Sequence, residues 1–366
     1  MINSTPKTIF SSAAGRVNLI GEHTDYNGGF VLPIGIPQRT SVRLTPQNSR
    51  QVRIKSLNMK VDDGHFEYEL GKERATKHWA DYIQGVTAIL AKEGFLLQGF
   101  DAEIQSDVPM GSGLSSSAAL EVSLMRALRE AFNLKLDDVS LARLGQKVEN
   151  DFVGARVGIM DQMAASLADQ EAALFLDTRN FVYERVALPK GCELLVINSG
   201  VSHQNAHGAP GANYNTRRSE CESACAQLKI HELRDLGLED LPKLDTLPEV
   251  IKRRARHVIT ENARVLAAVE IMKEAKPGAV EKLGKLFYES HVSQRDDYTV
   301  SVPEIDLLVE LAIKDADVFG ARLTGGGFGG SIVVLTKEGK AEAVGQRILQ
   351  AYKLQGNKSH PTVLVP

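Results

Sequence analysis

The chain has 366 residues, which is enough for two domains or one large one. Its 43 lysines and arginines nearly balance 46 aspartates and glutamates, so it offers no basic field for binding nucleic acid or an anionic membrane. Because 43% of the residues are hydrophobic, the chain can bury a core, which excludes an intrinsically disordered protein.

The three cysteines, Cys192, Cys221 and Cys225, form no CxxC pair. Their number and spacing exclude a disulfide scaffold and a structural zinc site. The N-terminal segment has no apolar run of signal-peptide length, and no stretch approaches the roughly 18 apolar residues of a membrane-spanning helix. We therefore expect a soluble, cytoplasmic protein without a membrane partner.

Strand and helix patterns alternate along the N-terminal half, which predicts an α/β or α+β architecture. Strands are predicted at Ser41–Leu44, at Val52–Ile54 and at Phe100–Gln105, where apolar and polar residues alternate. Helices are predicted from Ala118 onward, over Asp137–Asp151, and over the short segment that follows Asp161.

The C-terminal half is predicted to begin near residue 185, so that the domains are residues 1–185 and 186–366. Its predicted elements are a strand over Arg185–Leu195, a loop over Asn205–Asn213, helices over Asn215–Leu228 and Pro248–Glu274, and a strand from Ser331.

Two patterns in this half favour ordinary structure over a binding site. Gly325, Gly327 and Gly330 fit GxGxxG, but a dinucleotide fingerprint needs a helix after the glycines, and Ser331 begins a predicted strand. The basic run Lys252–His257 lies in a helical pattern and is predicted to be a solvated face. We therefore expect no nucleic-acid partner.

A loop rich in glycine and serine opens the helix predicted from Ala118. It contains Gly111, Gly113 and the three serines Ser115, Ser116 and Ser117. Such a loop directs backbone N–H groups and the positive helix end at one spot, which favours phosphate binding. The alternative is an ordinary serine-capped helix start. It is not a Walker A loop, because no lysine follows the second glycine.

A second polar segment contains Glu22, His23, Asp25, Tyr26 and Asn27 within six residues. So many hydrogen-bonding groups suit a ligand rich in hydroxyls, but a polar turn that bonds to itself is an equal alternative. The spacing matches no zinc motif.

Two further carboxylates, Glu149 and Asp161, each have an ordinary explanation when taken alone. Glu149 would be a solvated helix residue, and Asp161 would cap the helix that follows it.

Together these segments resemble the galactokinase family of the GHMP kinase superfamily. Gly15–Tyr26 is similar to the galactokinase signature, and Asp107–Ala119 and Ala321–Gly330 are similar to the second and third superfamily motifs. Further stretches agree, at residues 79–86, 158–162, 214–221, 255–262 and 291–298. The motifs occur in family order over almost the whole chain.

The resemblance implies an α+β fold of two domains, an N-terminal one like ribosomal protein S5 and a C-terminal ferredoxin-like one, with the active site in the cleft between them. It implies transfer of the γ-phosphoryl group of ATP to the anomeric hydroxyl of D-galactose, which gives α-D-galactose 1-phosphate. Galactose and ATP are the implied partners, Mg²⁺ is the implied metal, and a monomer without a protein partner is expected.

The resemblance also implies a role for each matched residue. Asp161 is the implied catalytic base, and Arg16 pairs with it and stabilises the developing phosphate charge. Ser117 and Glu149 are the implied Mg²⁺ contacts, although another serine of the loop remains an alternative. The implied ATP contacts are Gly111, Ser112, Gly113, Leu114, Ser115, Ser116, Ser117 and Ala118, with Trp79 and Tyr82 near the adenine. The implied galactose contacts are Glu22, His23, Asp25, Gly158 and Tyr214. For Tyr82, a place in the core is an equal alternative.

One segment departs from the family pattern. Residues 199–213 are a few residues longer than the usual family loop and richer in glycine and alanine, directly before Tyr214. A kinase for another sugar, such as N-acetylgalactosamine or L-arabinose, therefore stays open. A second alternative is a non-catalytic sensor that binds galactose and ATP. The complete glycine-serine loop and the presence of Asp161 and Arg16 argue against the sensor.

Overall fold

The computed structural model describes residues 7–60, 64–201, 214–356 and 359–365. The chain divides into two compact units. Unit 1 comprises Met1–Arg16, Gly35–Pro109 and Ser115–Ala168, and unit 2 comprises Val17–Ile34, Met110–Leu114 and Asp169–Pro366. No single position in the sequence separates these units, and the predicted domain boundary near residue 185 stays a prediction.

The strands that the described residues form are, in chain order, β1 (Ile9–Asn18), β2 (Phe30–Val31), β3 (Pro33–Pro46), β4 (Gln51–Ser56), β5 (His65–Glu69), β6 (Phe100–Ser106), β7 (Ala172–Asp177), β8 (Tyr183–Ala187), β9 (Cys192–Asn198), β10 (Val318–Thr324), β11 (Ser331–Lys337) and β12 (Thr362–Val365).

The α-helices are α1 (Asp81–Lys92), α2 (Ser116–Ala131), α3 (Asp138–Lys147), α4 (Met160–Leu167), α5 (Tyr214–Leu228), α6 (Glu249–Glu274), α7 (Ala279–Ser293), α8 (Pro303–Ile313) and α9 (Ala341–Leu354). Two π-helical turns continue α3 and α7 directly, at Val148–Val153 and Gln294–Tyr298. Such turns are rare and are frequent at functional sites. None of the described helices is long and apolar enough to cross a membrane.

Unit 1 is built on a five-stranded sheet in the order β1-β3-β6-β4-β5. Strand β6 pairs antiparallel with β3 and parallel with β4. Its alternating pattern buries Phe100, Ala102 and Ile104 on one face. Apolar residues of α1 and α2, such as Leu90 and Leu128, pack in the same core. The helices therefore cover one face of the sheet, as the period of two in β6 predicts.

Unit 2 contains a four-stranded antiparallel sheet in the order β10-β11-β9-β12 and a three-stranded one in the order β2-β7-β8. Ile332–Leu335 in β11 are four consecutive buried residues, so both faces of this strand are covered. Residues of α5, α6, α8 and α9 belong to the core on one of these faces.

Most predicted elements are confirmed. The strands over Ser41–Leu44, Val52–Ile54 and Phe100–Gln105 lie within β3, β4 and β6, and the helices over Asn215–Leu228 and Pro248–Glu274 are α5 and α6. The glycine-rich turn leads into β11 and not into a helix, so the rejection of a dinucleotide fingerprint is confirmed. The predicted loop over Asn205–Asn213 lies outside the described residues.

The strand pattern predicted around Arg185–Leu195 is confirmed at both ends of that range but not in its middle, because β8 ends at Ala187 and β9 begins at Cys192. Pro189 lacks the N–H that a ladder needs, and Gly191 has a φ of 84°, which a strand does not accept. The helix after Asp161 begins one residue before it, at Met160, with Ile159 as the N-cap. Asp161 lies in the first turn and is not the helix cap.

The basic run in α6 is only partly a solvated face. Arg254 and His257 are buried, which contradicts the prediction for those two side chains. Arg254 donates to Glu220 and to the Asp297 carbonyl, so its charge and donors are satisfied inside unit 2. Buried arginines occur where such partners exist, and the partners lie in other elements that the helical pattern does not reveal.

Candidate active site

The start of α2 does not have the geometry of an ordinary capped helix. Ser115 occupies the N-cap with φ 61° and ψ 46°, a left-handed conformation, and its side chain makes no capping hydrogen bond. Its Oγ is buried without a hydrogen-bond partner in the described structure. An N-cap serine normally has extended backbone and accepts from the helix, so simple capping does not explain this loop. A buried hydroxyl without a partner fits a site that an added anion completes.

Residues Met110–Leu114 of the same loop belong to unit 2. Gly111 and Gly113 have φ values of 69° and 76°, which favour glycine. The Ser112 carbonyl accepts from Ser331 Oγ at 2.8 Å. A Cβ added to Gly325 would lie 2.7 Å from the Gly113 carbonyl oxygen, so the glycine-rich turn packs directly on this backbone.

Arg16 and Asp161 form an ion pair in unit 1. Arg16 Nε and Nη2 donate to Asp161 Oδ1 at 3.0 and 2.5 Å. The Arg16 side chain is 3% exposed and that of Asp161 is 31% exposed, so a buried cation holds a carboxylate that solvent can reach. Two bonds to one oxygen fix the orientation of the carboxylate.

A second cluster of polar side chains in unit 1 surrounds Glu149, which lies in the π turn after α3. Its Oε1 accepts from Ser117 Oγ at 2.9 Å and from Gln162 Nε2 at 3.1 Å. The same Gln162 amide lies 3.4 Å from Oε2 of Glu121, which is fully buried on α2. Glu149 is itself buried, so its alternative as a solvated helix residue is wrong.

Burial controls the charge of these two carboxyl groups. It raises the pKa of Glu149 to about 7, while the hydrogen bond from Ser117 acts in the opposite direction. Burial, with the nearby charge of Glu149, also raises the pKa of Glu121 well above its ordinary value. A cation beside Glu149 would favour its ionised form, because opposite charges stabilise one another.

Ser117 and Glu149 have the right chemistry for Mg²⁺. Among the described residues, no group of three or more His, Cys, Asp or Glu side chains could hold a metal ion. Mg²⁺ does not need such a cage, because it keeps several waters and takes one or two carboxylates together with phosphate oxygens. The adjacent hydroxyl and carboxylate oxygens of Ser117 and Glu149 fit that kind of site.

The other predicted contacts in unit 1 are Trp79, Tyr82 and Gly158. Trp79 is half-buried against the core of this unit. Burial, and then the charges of Glu149 and Glu121, raise the pKa of the half-buried Tyr82 above its ordinary value, which places this phenol near the polar group around Glu149. Gly158 is buried two residues before α4.

In unit 2, Glu22 is buried among protein donors. Its Oε1 accepts from Thr324 Oγ1 at 3.2 Å and from the Gly325 N–H at 2.7 Å. Its Oε2 accepts from Asn18 Nδ2 and lies 3.0 Å from Arg322 Nη2. Oε1 therefore has two hydrogen-bond donors, and Oε2 has one donor and the ion pair with Arg322. A sugar hydroxyl that bonds to Oε1 would have to replace one of its donors.

Arg322 is the fully buried partner of this carboxylate. Its Nη1 donates to the carbonyl oxygens of Asn18 and Leu19 at 2.9 and 3.0 Å, and its Nε donates to Ser290 Oγ at 3.2 Å. Its side chain is 0% exposed. The guanidinium thus joins the end of β1 to β10 and α7 inside unit 2.

His23 lies at the centre of an aromatic cluster in unit 2. Its ring centroid is 4.7 Å from that of Tyr298, 5.4 Å from Tyr214 and 5.8 Å from Tyr26. The predicted contacts His23 and Tyr214 are therefore neighbours. Asp25 begins the short turn that carries Tyr26, and its Oδ1 accepts from the Tyr26 N–H at 3.0 Å.

The ring centroid of His257 lies 4.5 Å from that of Tyr298, and this buried histidine gives a pH prediction. Burial lowers the pKa of His257 to about 4, against partial opposition from Glu261. As the pH falls from 6.5 towards 4, the unfolded chain therefore binds a proton that the folded chain does not bind. We expect this group to reduce the free energy of unfolding by roughly 3 kcal/mol over that window, measured as chemical unfolding at each pH.

The variant His257→Gln should flatten this pH dependence, although the buried His23, whose pKa is also lowered by burial, keeps part of it. His360→Gln changes an exposed histidine and is the matched control. An unchanged pH slope in His257→Gln would contradict the prediction.

Sequence reasoning assigned no role to four residues of these clusters, namely Glu121, Gln162, Tyr298 and Arg322. The last three lie in stretches that resemble the family, at residues 158–162, 291–298 and 321–330, but the resemblance gave them no role. Glu121 and Gln162 had a further weak signal, because they interrupt the apolar faces of α2 and α4 with polar side chains. Arg322 had a similar signal, since it stands between Ala321 and Leu323 in a buried strand.

The chain matches three family descriptions. Residues 2–46 match the galactokinase galactose-binding signature, residues 81–169 match the GHMP kinase N-terminal domain, and residues 267–354 match the GHMP kinase C-terminal domain. The galactose-binding signature contains Arg16, Glu22 and His23. The N-terminal domain match contains Ser117, Glu149 and Asp161.

Whole-chain relatives agree with these matches. A galactokinase of Chloroflexus aurantiacus is 42% identical over 365 residues, which cover 98% of this chain and 92% of that protein. A galactokinase of Chloroflexus aggregans is 41% identical over 97% of this chain and 90% of its own. The crystal structure of Lactococcus lactis galactokinase complexed with galactose has a TM-score of 0.89 and 32% identity, and covers 100% of this chain and 94% of its own. The fold is shared more widely, for example with L. major mevalonate kinase, at a TM-score of 0.67 and 19% identity over 99% of this chain and 96% of its own.

Proposed function

This chain belongs to the galactokinase family of the GHMP kinases, and on that premise we propose that it transfers the γ-phosphoryl group of ATP to the anomeric C1 hydroxyl of D-galactose. The products are α-D-galactose 1-phosphate and ADP. The observation that carries the proposal is the Arg16–Asp161 pair, a solvent-accessible carboxylate oriented by a buried arginine.

Asp161 is the proposed general base. Its Oδ1 is held by Arg16, and the other oxygen, Oδ2, accepts the proton of the sugar hydroxyl as the phosphorus–oxygen bond forms. Arg16 orients Asp161, and its guanidinium offsets the negative charge that spreads over the transferring phosphoryl oxygens.

ATP is proposed to bind at the glycine-serine loop. The left-handed Ser115 with its unpaired buried hydroxyl, and the N–H groups at the start of α2, suit phosphate oxygens. The proposed contacts are Gly111, Ser112, Gly113, Leu114, Ser115, Ser116, Ser117 and Ala118, with Trp79 and Tyr82 near the adenine. Ser117 and Glu149 would hold the Mg²⁺ ion of Mg-ATP, which would neutralise part of the phosphate charge.

Galactose is proposed to bind through Glu22, His23, Asp25, Gly158 and Tyr214. His23 and Tyr214 are the best supported, because their rings are neighbours and His23 Nε2 is buried without a hydrogen-bond partner among the described residues. For Glu22 the support is weaker, because three protein donors and the Arg322 cation already surround its carboxylate.

Ser117→Ala is expected to raise the KM for Mg-ATP by about tenfold and to leave the KM for galactose within about twofold. The change removes a metal contact and the donor to Glu149 without enlarging the core. Steady-state kinetics with each substrate varied in turn measures the two constants.

The matched control for that variant is Ser123→Ala on the same helix, whose Oγ donates only to the Leu120 carbonyl in its own turn. It is expected to behave like the wild-type protein. An unchanged dependence on Mg-ATP in Ser117→Ala would assign the metal contact to Ser115 or Ser116 instead.

Preference for another sugar is the main alternative, and the long segment before Tyr214 motivates it. Residues 202–213 of this segment lie outside the described residues. The deciding experiment measures ATP consumption with Mg²⁺ across galactose, N-acetylgalactosamine, glucose, L-arabinose and mevalonate, and locates the new phosphate by NMR. Fast turnover of galactose alone, with phosphate on C1, supports the proposal. Faster turnover of another sugar changes the substrate, and binding without turnover favours the sensor.

We further propose that the enzyme acts in the cytoplasm as a monomer. Its three cysteines are all free thiols, which suits a reducing compartment. Sedimentation at micromolar concentration tests the oligomeric state, and a stable dimer would contradict it.

A further inference from the structure

Three hydrogen bonds connect four side chains of unit 2 into one chain, of which His23, Tyr298 and Cys221 are buried and Tyr26 is half-buried. His23 Nδ1 lies 2.9 Å from the Tyr26 hydroxyl, which lies 2.7 Å from the Tyr298 hydroxyl, which lies 3.1 Å from Cys221 Sγ. These residues come from the segment after β1, from the π turn after α7 and from α5. His23 stands at one end. Its other nitrogen, Nε2, is buried and makes no hydrogen bond of good geometry in the described part of the chain, and the nearby Gly326 backbone acts to raise the pKa of the ring against the effect of burial.

The backbone and the neighbouring rings hold His23 in place. Its φ is 64°, a left-handed conformation that is unfavourable for a residue with a Cβ and that the surrounding structure must maintain. The rings of Tyr298, Tyr214 and Tyr26 pack around the imidazole at centroid distances of 4.7 to 5.8 Å. Because Nδ1 is occupied by Tyr26, a ligand can only use Nε2. A buried ring nitrogen without a partner is unfavourable until a ligand pairs with it.

One direction of donation along the hydrogen-bond chain places the proton of His23 on Nε2. Burial lowers the pKa of His23 well below its usual value, so the ring is neutral and has one N–H. If Cys221 donates to Tyr298, Tyr298 to Tyr26 and Tyr26 to Nδ1, every S–H and O–H hydrogen in the chain is used. This direction also pairs a phenol, which is a better donor than acceptor, with an unprotonated imidazole nitrogen, which is a strong acceptor. The proton of His23 is then on Nε2.

We propose that Tyr298 is a positioning residue for sugar recognition, which acts through Tyr26 to fix the His23 tautomer in which Nε2–H donates to one hydroxyl oxygen of the hexose. The proposal rests on the proposed galactose kinase function and deepens it. Tyr298 itself is fully buried, so it acts through the hydroxyl chain and not by touching the sugar.

The test replaces Tyr298 by phenylalanine, which keeps the ring that packs on His23 and removes only the hydroxyl. The KM for galactose is expected to rise about fivefold to tenfold, while the KM for ATP and kcat change by less than about twofold. Tyr352→Phe is the matched control, because Tyr352 is also fully buried in unit 2 and loses a hydroxyl that pairs with Ser359 Oγ at 2.6 Å. Equal effects in the two variants would overturn the proposal, since a general loss of buried hydroxyls would explain them.

Sugar analogues identify the hydroxyl and the direction of donation. Galactose lacking one hydroxyl at C2, C3, C4 or C6 is compared with the fluorinated sugar at the same position, because fluorine accepts weakly and cannot donate. At one carbon of the sugar, removal of the hydroxyl should cause no further loss of affinity in Tyr298→Phe. At that same carbon, the wild-type protein should bind the fluorinated sugar more tightly than the deoxy sugar. Equal affinities of the fluoro and deoxy sugars at that position would overturn donation from Nε2.

Nitrogen NMR of ¹⁵N-histidine-labelled protein reads the tautomer directly and needs no turnover. The His23 signals are assigned with His23→Gln, and thermal melting of each variant checks that it is folded. We expect protonated Nε2 in the wild-type protein and a mixture of tautomers in Tyr298→Phe. Protonated Nδ1 in the wild-type protein would overturn the proposal. A wild-type protein with the expected tautomer but no turnover of galactose would instead overturn the proposed function.

Discussion

Asp161→Asn is expected to reduce kcat by a factor of about 10² to 10⁴, with the KM values for galactose and ATP changed by less than about threefold. Asparagine has nearly the same shape as aspartate, but its amide does not accept the sugar proton. The Arg16 guanidinium then also faces a neutral group in place of the carboxylate to which it donates. Single-turnover measurements separate the phosphoryl-transfer step from product release.

The control for this variant is Asp177→Asn, which alters another arginine–aspartate pair. Asp177 accepts from Arg234 Nη1 and Nη2 at 2.9 and 3.0 Å on β7, and we assign it no part in catalysis. Its kcat should stay near that of the wild-type protein at a temperature where both are folded. Near-normal turnover in Asp161→Asn would show that this residue is not an essential base, and the Arg16 pair would then be structural.

Arg322→Met is expected to lower the free energy of unfolding by about 3 to 5 kcal/mol. Methionine fills much of the same volume but leaves the buried Glu22 carboxylate without its cation, while Glu261 keeps its ion pair with Arg264. It also leaves the carbonyl oxygens of Asn18 and Leu19 without the Nη1 donor. Urea unfolding of both proteins measures the loss of stability, as a lower midpoint for the transition in which unit 2 unfolds.

Arg347→Met provides the matched comparison at the surface. Arg347 donates to Asp315 at 2.7 and 2.8 Å, a two-point ion pair as good in geometry as many buried ones, but its side chain is 47% exposed. Water replaces such a partner readily, so the expected loss is below about 1 kcal/mol. Equal losses in both variants would contradict the buried role of Arg322.

The local sequence pattern was sufficient to predict an element where the spacing of apolar residues alone determines it. The alternation in Phe100–Gln105 predicts β6, because every second residue faces the same helices. The glycines and serines around residues 111–117 predict an unusual helix start, and the left-handed Ser115 agrees with that prediction. The polar segment with Glu22, His23 and Asp25 leaves two alternatives open, and the resemblance to a known family was needed to favour a sugar site.

Sequence pattern failed where partners lie far apart along the chain. An arginine in a strand is predicted to face solvent by its type, yet Arg322 is buried because Glu22 and two backbone carbonyls provide its partners. Glu121 and Gln162 meet Glu149 only through the packing of three helical segments. The link from Tyr298 to His23 likewise depends on tertiary contacts that no local period encodes.

The two π turns impose a requirement on length as well as on residue type. Each has hydrogen bonds from one residue to the fifth one on, so it holds an extra residue in the space of an α-helical turn. The winding of each turn and the number of residues in it must therefore match. An extra residue in an ordinary α-helix rotates everything after it by about 100° relative to what precedes it. The wider turn absorbs that rotation, so the residues after it keep the phase of the helix before it. If the five residues Gln294–Tyr298 were wound as an ordinary α-helix instead, the Tyr298 hydroxyl would turn away from Tyr26.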